Sequence, residues 1–199
     1  MGGQGGKRSR YPRWVEPIVV TCVLMLAAAQ AGADPTVPLD LQVDLLRKVV
    51  RFERGFGSRG AAQVTLLLVG RPHDADGERA AAQIAGAVAR APEIAGRPVK
   101  VVAHDYSSPE ALRRVVSDGG VQLVYLLPGL HGDIAAIAAA LDGLATITVS
   151  TDGEEVERGA VLGFELASAH PKIVLNLGQA RKQRLDFDSD LFRLARIVR

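Results

Sequence analysis

The sequence predicts an α/β fold in which helices cover both faces of a mostly parallel sheet. Runs of apolar residues of strand length alternate with one-faced helical patterns, and these runs are apolar throughout instead of alternating with polar residues. Continuous apolar runs are typical of strands that are buried on both faces, as in parallel sheets covered by helices. Near the C-terminus the pattern changes to a hairpin and a closing helix, so we expect the sheet to be mixed at that edge.

Residues 1–33 have the features of a signal peptide. Basic residues between Lys7 and Arg13 precede an apolar run from Ile18 to Ala29, and small residues follow up to Ala33. The apolar run is shorter than the roughly 20 residues that a membrane span needs. We expect cleavage after Ala33, export to the periplasm and a single domain of residues 34–199. An uncleaved membrane anchor is the alternative.

Cleavage would change both the charge and the cysteine content of the protein. It would remove four basic residues and one acidic residue, which lowers the formal net charge from +2 to −1. Nucleic acids require a clustered basic surface, so we expect no nucleic-acid partner. The only cysteine, Cys22, lies in the removed segment, so a disulfide or a redox mechanism based on cysteine is excluded for the exported domain.

The domain begins with a helix, predicted over residues 39–52, whose apolar arc covers about half of its circumference. One line of apolar side chains consists of Leu41, Leu45, Val49 and Phe52, and an adjacent line consists of Val43, Leu46 and Val50. Both lines are buried if the helix is wedged between the sheet and a neighbouring helix. Alternatively, the second line is exposed. We then expect Val43, Leu46 and Val50 to bind a partner, or a second copy in a homodimer.

The rest of the domain supplies the alternating elements in order. Strands are predicted at residues 64–70, 98–103, 121–127 and 146–150, with helices between them. Two further strands, at residues 160–166 and 172–177, are separated by a loop that is too short for a helical crossover, which predicts a hairpin. A closing helix is predicted from Asp188 to the C-terminus, because its apolar residues recur at helical spacing.

Known catalytic and cofactor motifs are missing from the sequence. Residues 55–60 match G-x-G-x-x-G, but they close a helix and precede a strand, which is the reverse of the order in a dinucleotide-binding site. No serine-hydrolase elbow, phosphate-binding loop or H-E-x-x-H motif is present. We therefore expect no enzymatic activity and no cofactor.

Histidines and acidic residues follow each of the first three predicted strands. The carboxyl ends of parallel strands share one edge of the sheet, where open α/β folds bind ligands. A divalent metal or a polar small molecule could bind there, and the candidate metal ligands are His73, His104, His131 and Asp133. The alternative is that Asp76 and Asp133 are helix caps in polar turns. No pair has the spacing of a local metal motif, so we expect no metal. Glu154, Glu155 and Glu157 are interpreted as a solvated loop.

Several short motifs in the second half of the chain occur together in a known arrangement. Near the C-terminus they comprise Asn176-Leu177, Ala180-Arg181, Leu185, Ser189, Leu191, Leu194-Ala195 and Ile197-Val198. Upstream they comprise Arg158-Gly159, Leu162, Phe164 and Ile147-Thr148-Val149-Ser150. These residues resemble the YfiR-like family of periplasmic regulators, whose terminal signature is an I-N-L-x-x-A-R strand and turn followed by S-x-L-L-x-L-A-x-V-V, and whose upstream segments are R-G-G-x-I-x-F and L-T-V-S. The resemblance covers about residues 64–198.

The resemblance implies a function that depends on binding. Members of the family bind and restrain the periplasmic part of an inner-membrane signalling protein, typically a diguanylate cyclase and sometimes a sensor kinase. The alternative is a periplasmic module that binds a small molecule or metal at the carboxyl edge of the sheet. The basic residues Lys172, Arg181, Lys182 and Arg184 could contact anionic headgroups or an acidic partner, or could form a solvated turn.

Overall fold

Helices and strands alternate along the part of the chain that the computed structural model describes, which comprises Gly2, residues 36–59 and residues 62–198. The helices are α1 (Leu39–Val49), α2 (Ala75–Arg90), α3 (Pro109–Asp118), α4 (Ile134–Ala140), α5 (Glu155–Arg158), α6 (Leu177–Lys182) and α7 (Ser189–Phe192). The strands are β1 (Val64–Gly70), β2 (Glu93–Ile94), β3 (Arg97–Asp105), β4 (Leu123–Leu126), β5 (Ile147–Ser150), β6 (Leu162–Ala167), β7 (His170–Asn176) and β8 (Ala195–Val198).

The predicted signal peptide and its cleavage site after Ala33 lie, apart from Gly2, outside the described residues. Among the described residues, no helix is both long enough and apolar enough to cross a bilayer.

The strands form one sheet in the order β2-β3-β1-β4-β5-β6-β7-β8. β1 is central: it pairs in parallel with β3, with Val64 opposite Val99, and with β4, with Leu66 opposite Leu123. β5 and β6 continue the parallel part. Six of the seven residues of β1 are buried, which is why its sequence is apolar throughout. The predicted α/β fold with a mostly parallel sheet is confirmed.

Two pairs of neighbouring strands in the sheet are antiparallel. β2 and β3 form a short hairpin that the sequence did not predict. β6 and β7 form the predicted hairpin, with Leu162 opposite Leu175 and Ala167 opposite His170. The turn consists of Ser168 and Ala169, which have φ values of 51° and 63°. Positive φ at both turn residues gives the backbone twist that a two-residue hairpin requires.

The C-terminal segment differs from the long closing helix that the sequence predicted. The closing helix is α7, which has four residues, and the chain then continues as β8, parallel to β7. Ala195 and Ile197 pack on one face of the sheet, whereas Val198 packs on the other. The same residues therefore fit a strand pattern of period two, and pairing with β7 satisfies backbone groups of the segment.

Two apolar clusters lie on opposite faces of the sheet. Leu66 and Leu68 of β1 belong to a cluster that contains residues of α1 and α2. Leu67 and Val69 belong to the second cluster, which contains residues of α3 and α4. The alternation along a strand thus divides β1 between both layers of helices.

The second apolar line of α1 is part of the core. Val43, Leu46 and Val50 are at most 1% exposed, and all three belong to the cluster that contains α2. The alternative that this line is exposed is therefore wrong, and the reason for assigning the three residues to partner binding is lost. The helix is wedged between the sheet and α2, so both of its apolar lines have protein neighbours, except at Leu41, which remains exposed.

A buried carboxylate ties the segment after α1 to the segment before α7. Glu53 is 3% exposed and pairs with Arg59. Its Oε1 accepts a hydrogen bond from the backbone N–H of Asp186 at 3.0 Å, and Glu53 forms an isolated antiparallel bridge with Phe187. The Asp188 N–H donates to the Phe52 carbonyl at 2.7 Å. These bonds fix residues 186–188 and hence the position of the chain end.

We predict that Glu53→Ala lowers the free energy of unfolding by about 3 kcal/mol, because it leaves the Arg59 charge and the Asp186 N–H without this partner. Glu110→Ala removes an exposed carboxylate in the first turn of α3; it is the control and should change stability by less than about 1 kcal/mol. Urea denaturation followed by circular dichroism measures both. Equal stability of the two variants would contradict the role given to Glu53.

Candidate functional site

Exposed apolar side chains are concentrated at the end of the chain. Among the described residues the large apolar side chains that remain exposed are Leu41, Phe192 and Leu194, at 36%, 38% and 56%. Phe192 ends α7, and Leu194 immediately precedes β8. β8 is the last strand of the sheet, so its outer side has no strand partner in the described part of the chain. We call Phe192, Leu194 and the outer side of β8 the C-terminal edge surface.

Arg196 holds the edge strand in place. Its Nε donates to both carboxylate oxygens of Glu165 on β6, at 3.0 and 3.1 Å, so the side chain reaches across β7. One terminal nitrogen donates to Glu157 on α5 at 3.0 Å. Hydrogen bonds to these two carboxylates raise the pKa of the Arg196 guanidinium. A paired arginine on a short edge strand keeps the strand attached to the sheet, so the C-terminal edge surface is preformed.

A groove of about 270 Å³ lies beside Phe192. Leu177, Ala180, Leu185 and Phe187 supply its apolar lining. Arg54 and Arg181 supply positive charge, and Asp186 supplies a negative charge. Arg54 pairs with Asp186 and Asp188, each at 3.3 Å. The pKa of Asp188 is lowered first by a hydrogen bond from the Asp190 backbone N–H and then by the hydrogen bond from Arg54. Arg181 is exposed. The groove can therefore receive an apolar side chain next to an acidic group.

The histidines and acids predicted at the carboxyl edge are dispersed in the part of the chain that the structure describes. His73 is exposed, and Asp74, not Asp76, caps α2 by accepting the Gly77 N–H at 3.2 Å. Asp133 pairs with Arg71, and its side chain makes no capping hydrogen bond to α4. The buried Nε2 of His104 has no hydrogen-bond partner among the described residues.

The Nδ1 atom of His131 lies 3.6 Å from Oε1 of Glu155. Within residues 36–59 and 62–198, no three His, Cys, Asp or Glu side chains are grouped so that they could bind a metal. The four candidate ligands His73, His104, His131 and Asp133 are therefore not brought together.

Gln42 and Glu155 organise the carboxyl edge, and the sequence reasoning missed both. Gln42 on α1 donates to the carbonyls of Val37 and Thr151, at 2.8 and 3.0 Å, and accepts the Tyr125 hydroxyl at 2.5 Å. One buried amide thus connects the start of α1, the loop after β5 and the core. Its position between the two apolar lines of α1 was the available signal, because a polar residue inside an apolar arc needs buried partners.

Glu155 is buried, not solvated as the acidic run around it suggested. It is 5% exposed, and the Ser150 hydroxyl donates to its Oε2. Burial raises the pKa of the Glu155 carboxyl above its ordinary value of 4.5. The hydrogen bond from Ser150 and the nearby His131 act in the opposite direction, and the charge of Asp152 acts in the same direction as burial. The carboxyl edge thus holds a carboxyl group that is costly to ionise.

Comparisons with known proteins relate this structure to one family and to several solved structures. A family model described as YfiR/HmsC-like matches residues 40–196. No curated protein matches the chain. A conserved domain protein from Vibrio cholerae has a TM-score of 0.56 at 13% identity, and the match covers 84% of this chain and 62% of that one.

Two further solved structures have similar scores. An ABC domain in complex with L-Trp from Streptococcus pneumonia has a TM-score of 0.57 at 11% identity, with 83% of this chain and 63% of that chain covered. An open, ligand-free substrate-binding protein with adhesive properties from Clostridium difficile also has a TM-score of 0.57 at 11% identity, with 82% and 60% covered. The chain thus spans less than two thirds of each neighbour, and at these identities the likeness shows the fold alone.

We predict that Glu155→Gln stabilises the protein increasingly as the pH rises. A carboxyl with a raised folded pKa contributes stability that is complete below its unfolded pKa and is lost as the pH rises through the folded pKa. Glutamine stays neutral, so the melting temperatures of the two proteins should be similar near about pH 4 and should separate by about pH 8. The control, Glu154→Gln, changes the exposed neighbouring carboxylate and should show no such separation. A difference independent of pH would contradict the prediction.

Proposed function

The chain belongs to the YfiR/HmsC-like family, and on this premise we propose that it is an exported regulator that binds the periplasmic part of an inner-membrane signalling protein. The bound partner is a diguanylate cyclase or a sensor kinase, and binding restrains its activity. The signal-peptide pattern of residues 1–33 supports export, and residues 34–199 form the regulatory domain. The protein acts by contact and not by catalysis.

The C-terminal edge surface is the observation that carries this proposal. Leu194 is the most exposed of the large apolar side chains in the described residues, and it immediately precedes the edge strand β8, two residues after Phe192. Exposed apolar side chains beside an unpaired strand edge are a recognised arrangement for binding an extended segment of a partner. Backbone hydrogen bonds from such a segment supply affinity, and pockets for its side chains supply specificity.

The groove beside Phe192 indicates the chemistry of the partner segment. Its apolar lining is suited to an aliphatic or aromatic side chain, and Arg181 on its rim is suited to an acidic residue. Arg193 is also exposed and lies between Phe192 and Leu194 in the sequence. We therefore propose that the partner presents an extended segment in which an apolar residue and an acidic residue occur together.

The second apolar line of α1 is buried and is therefore a poor candidate for the partner-binding surface. Val43, Leu46 and Val50 could reach a partner only if α1 left the sheet, which would expose much of the core and cost a large share of a domain's roughly 5–15 kcal/mol of stability. The C-terminal edge surface needs no such rearrangement, because its side chains are already exposed.

We predict that Leu194→Glu abolishes partner binding but leaves the fold intact. A central apolar contact of an interface contributes about 2 kcal/mol or more, so affinity should fall at least about thirtyfold. The matched control is Leu41→Glu, since Leu41 is an exposed leucine on α1, outside the proposed surface. The measurements are co-purification with an inner-membrane signalling protein and the output of that protein in cells.

The expected result is that Leu194→Glu loses co-purification and raises output, whereas Leu41→Glu behaves as the wild type. A folded Leu194→Glu protein that still binds and restrains the partner would contradict the proposal. Loss of binding in Leu41→Glu alone would place the interface on α1 instead.

A further inference from the structure

A cleft of about 470 Å³ opens at the carboxyl edge of the sheet. It lies between the start of α1, one side of α2, the loop after β4 and the loop after β5, with Gln83, Gly129 and Thr151 among its lining residues. Its volume is in the range of small-molecule sites, and the carboxyl edge is where open α/β sheets bind ligands. The cleft does not include the C-terminal edge surface.

The charged residues that line this cleft are both acidic. They are Asp152 and Glu155, and none of the described residues that line the cleft is Lys, Arg or His. The Glu155 carboxylate is buried at the base of the loop after β5, with Oε2 bound to the Ser150 hydroxyl and Oε1 toward the exposed His131 ring at 3.6 Å. A buried carboxylate gains more from a cationic partner than an exposed one does, because water screens the attraction less.

The remaining walls are apolar and firmly held. Val37, Pro38, Leu39 and Pro128 supply apolar surface. Gln42, which also lines the cleft, uses both its amide N–H groups and its oxygen in hydrogen bonds to Val37, Thr151 and Tyr125. These bonds fix the start of α1 against the loop after β5, so the cleft is preformed and a ligand would not have to order it.

We propose that this cleft binds a small organic ammonium ion that carries an apolar group. The ammonium group pairs with the carboxylates of Glu155 and Asp152, and the apolar group packs against Val37, Leu39 and Pro128. An organic cation fits better than a metal ion, because a structural metal site commonly has four protein ligands and the described lining of the cleft contains two carboxylates. This ligand site is separate from partner binding and does not depend on the proposed regulatory function.

Three probes of nearly equal size and different charge test the proposal: 2-phenylethylamine, 2-phenylethanol and 3-phenylpropionate. Isothermal titration calorimetry measures their affinities for the protein of residues 34–199. The ammonium probe should bind at least about tenfold more tightly than the neutral alcohol, since one charge-assisted hydrogen bond has that value, and the carboxylate should bind most weakly. Equal affinity for the alcohol and the amine, tighter binding of the carboxylate, or no binding of the amine would each overturn the proposal.

Variants then locate the site. Glu155→Gln should weaken binding of 2-phenylethylamine at least about tenfold. Gln83→Lys changes an exposed lining residue of α2 without touching a buried group, and its added positive charge should weaken binding in the same direction. Glu154→Gln removes an exposed acid of the same loop that does not line the cleft, and its affinity should equal that of the wild type. If Gln83→Lys binds as tightly as the wild type, the amine does not occupy this cleft.

Discussion

The buried carboxylate of Glu53 connects the beginning of the domain to its end. Its hydrogen bond to the Asp186 N–H joins residues 133 positions apart, and its pairing with Arg59 supplies the compensating charge. A carboxylate at 3% exposure is tolerable only with such partners, so the segment after α1 and the segment before α7 must stay together. The position of α7, which follows directly on residues 186–188, depends on this constraint, and β8 is held in addition by β7 and by the pairing of Arg196 with Glu165.

The sequence predicted those features of the fold that local periodicity determines. Buried parallel strands read as apolar runs because both their faces are covered, and β1 was predicted with its observed limits, Val64–Gly70. The helix at the C-terminus was predicted too long because Leu191, Leu194, Ala195 and Val198 recur at helical spacing, whereas the structure pairs Ala195–Val198 as a strand with Ala195 and Ile197 on one face. Residues 195–198 form a strand because they pair with β7 and because Arg196 pairs with Glu165. Both are contacts with residues distant in the sequence.

Candidate site residues were harder to predict, since exposure and burial are decided by tertiary contacts. A helical pattern placed Leu194 on the buried face, whereas the short α7 leaves it 56% exposed. The apolar arc of α1 left open whether Leu46 is exposed, and only α2 and the sheet settle that it is buried. Glu155 appeared to belong to a solvated acidic run, but α5 turns it toward Ser150.

The helix α5 connects the two candidate sites. Its first residue, Glu155, supplies the buried carboxylate of the cleft, and its third residue, Glu157, pairs with Arg196 of the edge strand β8. Glu165 on β6 completes the attachment of that arginine. The cleft at the end of β5 and the surface on β8 are therefore linked through one turn of helix and one arginine.

The most direct test of the central claim, that the protein regulates by contact through its C-terminal edge surface, is site-specific photo-cross-linking in living cells. A photoreactive amino acid is placed at position 194, or at position 41 as the control, and the cross-linked products are identified by mass spectrometry. The account predicts a covalent adduct between position 194 and the periplasmic part of an inner-membrane signalling protein, and no such adduct from position 41. An adduct of position 194 with a second copy of the same chain, or an adduct with the signalling protein from position 41 only, would contradict it.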